Sequence, residues 1–186
     1  MERRREMRQY VVGGETTGAE IREARRRFGM TQKEFAAFLE CSKRAVESWE
    51  AKTGPVTGPV VALLDLLWRH PYLLPRLEGP EKKLKMRLWY MYRDKVCTLI
   101  DVDDLQRLVE IKNYTDDLLY CAFGVKQHPE YADYLAFLES RCFPASRDKL
   151  KLELKERGIP FYDPMQIIEK TEGRMAEDDF WLKIER

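Results

Sequence analysis

Histidine is nearly missing from this chain: His70 and His128 are the only two, and each is followed at once by proline. Placed at a helix end or in a turn, such residues suit capping better than proton transfer, which takes away the commonest general base. The cysteines Cys41, Cys97, Cys121 and Cys142 contain no Cys-x-x-Cys spacing, so neither a zinc site nor a disulfide framework is expected. They read as reduced, small, half-buried hydrophobes. Long apolar runs are also lacking. The longest, Val60 to Trp68, is interrupted by Asp65 and falls far short of the roughly 20 residues that a membrane helix needs.

Other absences narrow the class further. The start Met1-Glu2-Arg3-Arg4-Arg5-Glu6 is followed by no apolar stretch, so no secretory signal is expected and a cytoplasmic location follows. Gly13-Gly14-Glu15-Thr16-Thr17-Gly18 lacks the Gly-Lys-Ser/Thr of a phosphate loop and reads as a turn before a capped helix. Asp101, Asp103 and Asp104, and likewise Glu177, Asp178 and Asp179, are explained more cheaply by strand ends and helix caps than by a hard cation. The aromatic set around Trp89, Tyr90, Tyr92, Tyr120, Tyr131, Tyr134 and Phe137 reads as core and interface. The expectation is a soluble globular protein that is not an enzyme and uses no cofactor and no metal.

Net charge is +1, and its distribution is slightly uneven. Up to Gly54 there are 12 Lys and Arg against 9 Asp and Glu, and beyond it 21 against 23. A mildly basic front joined to a mildly acidic rear fits two modules with different partners.

Capping signals and apolar spacing divide residues 17 to 69 into four helices. Thr17-Gly18-Ala19-Glu20 is a capping box, Ile21, Ala24 and Phe28 supply one apolar face, and Gly29 is a stop. A second box, Thr31-Gln32-Lys33-Glu34, opens a short helix with Phe35, Ala36, Phe38 and Leu39 inward. Ser42 caps a third, from Lys43 to about Ala51, with Val46 and Trp49 on one face and Lys43, Arg44, Glu47 and Ser48 on the other. Pro59 starts a fourth, apolar nearly all round, whose surface offers a dimer seam, and Pro71 ends it.

Residues 75–85 read as a polar linker. Beyond it, Leu88 to Tyr92 and Val96 to Ile100 suggest a hairpin around Arg93-Asp94-Lys95, with Leu108 to Tyr114 as a third strand. Helices follow from Pro129, with Tyr131, Tyr134, Leu135 and Leu138 on one face, over Pro144 to Arg157 closed by Gly158, and near Pro164 to Glu169. The fold expected is α+β overall: an all-α domain at 17–74 followed by a small α+β domain at 86–186, strands first and helices after. Residues 1–16, with Arg3, Arg4, Arg5 and Arg8, read either as a basic arm lying on phosphates or in the minor groove, or as a solvated start.

Two short helices joined by a turn of three to four residues, the second displaying basic and polar side chains, make the shape that enters the major groove of DNA. Here they are Gln32 to Leu39, the turn Glu40-Cys41-Ser42, and Lys43 to Glu50. The segment Thr31-Gln32-Lys33-Glu34-Phe35-Ala36 through Ser42-Lys43-Arg44-Ala45-Val46-Glu47-Ser48-Trp49-Glu50 resembles the lambda-repressor-like, XRE-family helix-turn-helix. The run Gly58-Pro59-Val60-Val61-Ala62-Leu63-Leu64 resembles the HigA-type antitoxins within that family.

The resemblance implies a homodimeric regulator on double-stranded DNA. Gln32 and Ser42 would touch phosphates, Lys43, Arg44 and Ser48 would face bases, and Glu47 and Lys52 would complete the surface. Arg44 carries the fork that reads guanine, a contact worth roughly 1–3 kcal/mol of discrimination. Family members usually place glycine where Glu40 stands, a departure costing on the order of 1 kcal/mol. Arg141-Cys142-Phe143-Pro144-Ala145-Ser146-Arg147 with Met175 to Trp181 is weakly similar to the small N-terminal segment of HipA-like kinase toxins. No catalytic-loop Asp/Asn pair or Mg-binding triplet accompanies it, so it points to fold and to a toxin as a protein partner rather than to kinase activity.

Overall fold

Thr17 begins the first helix, because its hydroxyl accepts from the Glu20 amide while the Glu20 carboxylate accepts from the Thr17 amide at 2.8 Å. In the computed structural model, which describes residues 10–186, this helix is α1, Gly18–Arg27. The expected basic residues Arg3, Arg4, Arg5 and Arg8 lie outside the described residues. A matching box on Thr31 and Glu34 opens α2, Gln32–Phe38, and the Ser42 hydroxyl, accepting from the Ala45 amide, opens α3, Lys43–Ala51. Two further helices follow, α4 at Pro59–Arg69 and α5 at Leu73–Leu77.

Ile21, Phe35, Ala36, Val46, Val56, Val60 and Val61 form the core of these helices. A backbone bridge between Thr16 and Val56, with bonds of 2.9 and 2.7 Å, ties the entry of α1 to the loop before α4. Gly18 sits where α1 presses on the end of α3: an added Cβ would lie 2.5 Å from the Trp49 carbonyl oxygen, so no larger residue fits without moving backbone.

The chain divides into two compact units between Glu78 and Gly79. The second is built on an antiparallel sheet of four strands: β1 at Met86–Tyr92, β2 at Lys95–Asp103, β3 at Leu108–Asn113 and β4 at Phe180–Glu185, in the order β3-β2-β1-β4. Between β3 and β4 run α6, Tyr131–Ser140, α7, Leu150–Glu156, and α8, Pro164–Thr171. Leu88, Ile100, Val102 and Leu182 of the sheet pack with Tyr134, Phe137, Leu138, Ile167 and Ile168 of the helices into a single core. The protein is therefore α+β, with eight helices and four strands among the described residues.

Two expectations are corrected. The helices do not simply follow the strands, because β4 returns after them to pair with β1, Leu88 opposite Ile184 and Tyr90 opposite Leu182. The helix expected over Pro144 to Arg157 is confined to Leu150–Glu156, preceded by turns. The division between the units falls within residues 75–85, the expected linker, where α5 ends and the Pro80 carbonyl accepts from Arg87 at 2.8 Å. Among the described residues no helix is long and apolar enough to cross a membrane.

Candidate nucleic-acid interface

The link from α2 to α3 is fixed by backbone bonds. The Glu40 amide donates to Ala37 and the Cys41 amide to Ala36, so the last carbonyls of α2 are satisfied by a left-handed residue beyond the helix. That residue is Glu40, with φ of 51°. A side chain there costs strain that glycine would not. The turn nevertheless closes, and Ser42 starts α3 at once.

Helix α3 separates its side chains cleanly. Val46 and Glu50 are buried and Trp49 half-buried, whereas Ser42, Lys43, Arg44, Glu47, Ser48 and Lys52 are all exposed. Lys43 pairs with Glu47 one turn on at 2.9 Å, both remaining about half exposed. Among the described residues Arg44 has no ion-pair or hydrogen-bond partner. Unlike α1 and α2, which carry glutamate in their first turns, α3 carries Lys43 and Arg44 there. Two cations at the positive end of a helix dipole do nothing for the helix itself, and they make this end attractive to anions.

Gln32 is the expected site residue that is tied to a buried group. Its side-chain amide donates to the Glu50 carboxylate at 2.9 Å, leaving one amide proton for another acceptor. Glu50 itself was not singled out in the sequence, yet it organises the three helices. Its carboxylate accepts from Arg25 of α1 at 2.6 and 3.2 Å, and Arg22 lies 3.5 Å away and donates to the Glu50 carbonyl. Arg25 also donates to the Met30 carbonyl at the end of α1. Burial alone would raise the Glu50 carboxyl, but hydrogen bonds from Arg25 and Gln32 and the charges of Arg25 and Arg22 hold it below its ordinary value of 4.5. The available signal was a glutamate four residues after Val46, on the inward face, with two arginines three apart on α1.

In the second unit three of the acidic residues weighed as cation ligands, Asp101, Asp103 and Asp178, have other partners. Asp101 binds Arg87 in a buried two-bonded pair at 2.6 and 2.7 Å. Asp103 accepts from the Leu105 and Gln106 amides and from Lys85. Asp178 binds the buried Arg141, which also donates to the Gly173 and Phe180 carbonyls. Burial pushes the Cys142 thiol up to about 12, and all four cysteines are free.

No protein-family model and no solved structure matches the chain. Over 58 residues, 31% of this chain, it is 38% identical to the protein named Antitoxin HigA-2 of Vibrio cholerae serotype O1. The chain spans 56% of that relative's length, so what is shown is a stretch similar to part of an antitoxin of the HigA type.

Proposed function

We propose that the first unit is a helix-turn-helix of the XRE type that reads double-stranded DNA in the major groove, as a homodimer and as a repressor or autoregulator. The observation that carries this reading is the exposed face of α3, on which Lys43, Arg44 and Ser48 project beyond a short turn at the positive end of the helix. Arg44 and Lys43 reach base edges, Ser48 one turn on adds a third contact, and Glu47 sets the position of Lys43 and accepts from cytosine. Ser42, Lys52 and the remaining amide proton of Gln32 fix register on phosphates. Dimerisation uses the exposed Ala62 and Leu66 stripe of α4, since two heads on a palindromic site double the contacts.

The similarity to HigA-2 favours a compatible second reading, an antitoxin or defence component whose second unit holds a protein partner such as a toxin. In both readings the protein works in the cytoplasm by binding and is not an enzyme. The test is selection of bound fragments from random duplex DNA, followed by Arg44→Ala. The variant should lose about 5- to 150-fold in discrimination between selected and random duplexes, the equivalent of 1–3 kcal/mol, with its melting temperature unchanged. Failure to enrich any sequence, or unchanged discrimination by Arg44→Ala, would overturn the assignment.

A further inference from the structure

Helices α1 and α4 leave a groove of about 450 Å³ between them, within the range of pockets that take side chains of a ligand. Its floor is apolar, made of Phe28 from α1 and Val61, Leu64 and Trp68 from α4. Trp68 is 70% exposed, an expensive residue to leave in water. Among the described residues of the first unit, the exposed large apolar side chains all fall at 10–12 or 66–77, and α1, α2 and α3 carry none. Of these, Trp68 lines the groove, where it stands beside the half-buried Phe28 and Leu64.

The rim has a definite sign. Glu15, Glu20, Glu23 and Asp65 line it with one cation, Arg27; Asp65 is bound by Arg69 at 2.8 and 3.2 Å, so the excess negative charge rests on the three glutamates. Backbone and side-chain hydrogen bonds from Thr17 and Thr16 hold the Glu20 carboxyl below its ordinary value, and Glu15 and Glu23 have no ion-pair partner among the described residues. This charge selects the occupant. A duplex would be repelled. A second copy seated groove to groove would oppose the same four carboxylates. The second unit of the chain, with 19 Lys and Arg against 21 Asp and Glu from residue 79 on, offers no excess of cations.

We infer that the groove between α1 and α4 is a docking site for a cationic segment of another protein, in which Lys or Arg flank a large apolar side chain. The apolar anchor fills the space over Phe28, Val61 and Leu64 beside Trp68, and the flanking cations meet Glu15, Glu20 and Glu23. This places a protein partner on the first unit, on side chains separate from the exposed face of α3. It also leaves the Ala62 and Leu66 stripe untouched, since those positions lie about a third of a turn round α4 from Val61, Leu64 and Trp68.

The experiment is selection of random peptides displayed on phage against the immobilised full chain. Binding of the enriched synthetic peptides is then measured by fluorescence anisotropy, at low and high salt, to wild type, Glu23→Lys, Trp68→Ala and Arg44→Ala. The expected peptides carry Lys or Arg around an aromatic or aliphatic residue. Their affinity should fall at least tenfold in Glu23→Lys and in Trp68→Ala, fall with salt, and be unchanged in Arg44→Ala. Because Glu23 is an exposed position, that variant keeps the test decisive if Trp68→Ala melts early. Absence of enrichment, neutral or acidic peptides, or unchanged affinity in Glu23→Lys would overturn the inference. So would sedimentation showing that Trp68→Ala converts a dimer to a monomer, which would give the groove to a second copy. Arg44→Ala separates this outcome from failure of the DNA reading.

Discussion

Replacing Glu50 by glutamine keeps the shape of the side chain and removes its charge, which leaves Arg25 ionised in a site where only 12% of its side chain meets water. Breaking a buried ion pair from one side costs on the order of 3–5 kcal/mol when the surviving charge is fully enclosed. Here a value of about 2–3 kcal/mol applies, because the amide oxygen still accepts a hydrogen bond and Arg22, 46% exposed, is already solvated. For a unit of this size that is a fall in melting temperature on the order of 10–20 °C. Calorimetry would record it, and peptide-resolved hydrogen exchange would place it in α1, α2 and α3 rather than in the sheet. The double replacement Arg25→Met with Glu50→Leu should recover most of the loss, since it removes both charges. The acid limb gives a second check. With its folded value held below 4.5, Glu50 contributes stability that is present above that value and lost as pH falls through the folded one. Wild type should therefore lose its advantage over Glu50→Gln below about pH 4.5. A Glu50→Gln protein within about 0.5 kcal/mol of wild type, or with the same acid dependence, would refute the argument.

Two smaller perturbations test the backbone and the core. Glu40→Gly should relieve the left-handed strain at φ of 51° and, after the added freedom of the unfolded chain is subtracted, stabilise the first unit by about 0.5 kcal/mol in urea unfolding. A loss instead would show that the glutamate side chain has a compensating contact. Tyr134 is fully buried and its hydroxyl has no hydrogen-bond partner among the described residues, so Tyr134→Phe should be neutral or slightly stabilising in the second unit. A cost above about 1 kcal/mol would mean that the hydroxyl is satisfied after all.

The α-helical half was legible because its signals are local. Thr17 with Glu20, Thr31 with Glu34, and Ser42 each announce a helix start within four residues, and Gly29 at φ of 70° ends α1 where the apolar face runs out. The first hairpin and β3 were legible for the same reason. Strand β4 was not, because Phe180 to Glu185 acquires its meaning only from β1, nearly a hundred residues earlier, and the acidic run before it reads locally as a cap. Arg141, buried in the second unit, shows the same limit: its partners Gly173, Asp178 and Phe180 lie more than thirty residues away. At the candidate site the exposed residues of α3 followed from helical spacing. The Arg25, Glu50 and Gln32 cluster did not, since a charged residue on an inward face reads as an exception until its partners are known.

Under the proposed DNA-reading function, that cluster would let one short helix vary in what it reads without losing its place. The inward side of α3 carries Val46 and Glu50, which bind it to α1 and α2, and the outward side carries Lys43, Arg44, Glu47 and Ser48, which bind nothing that the fold needs. Changes on the outer face therefore alter recognition at little cost in stability, while changes at Glu50 or Arg25 alter stability whatever the outer face reads. Gln32 belongs to both sides. One amide proton is held by Glu50, so the direction of the other is set by the same carboxylate that positions α3, and a phosphate bound there would be fixed in register with the outer face of α3.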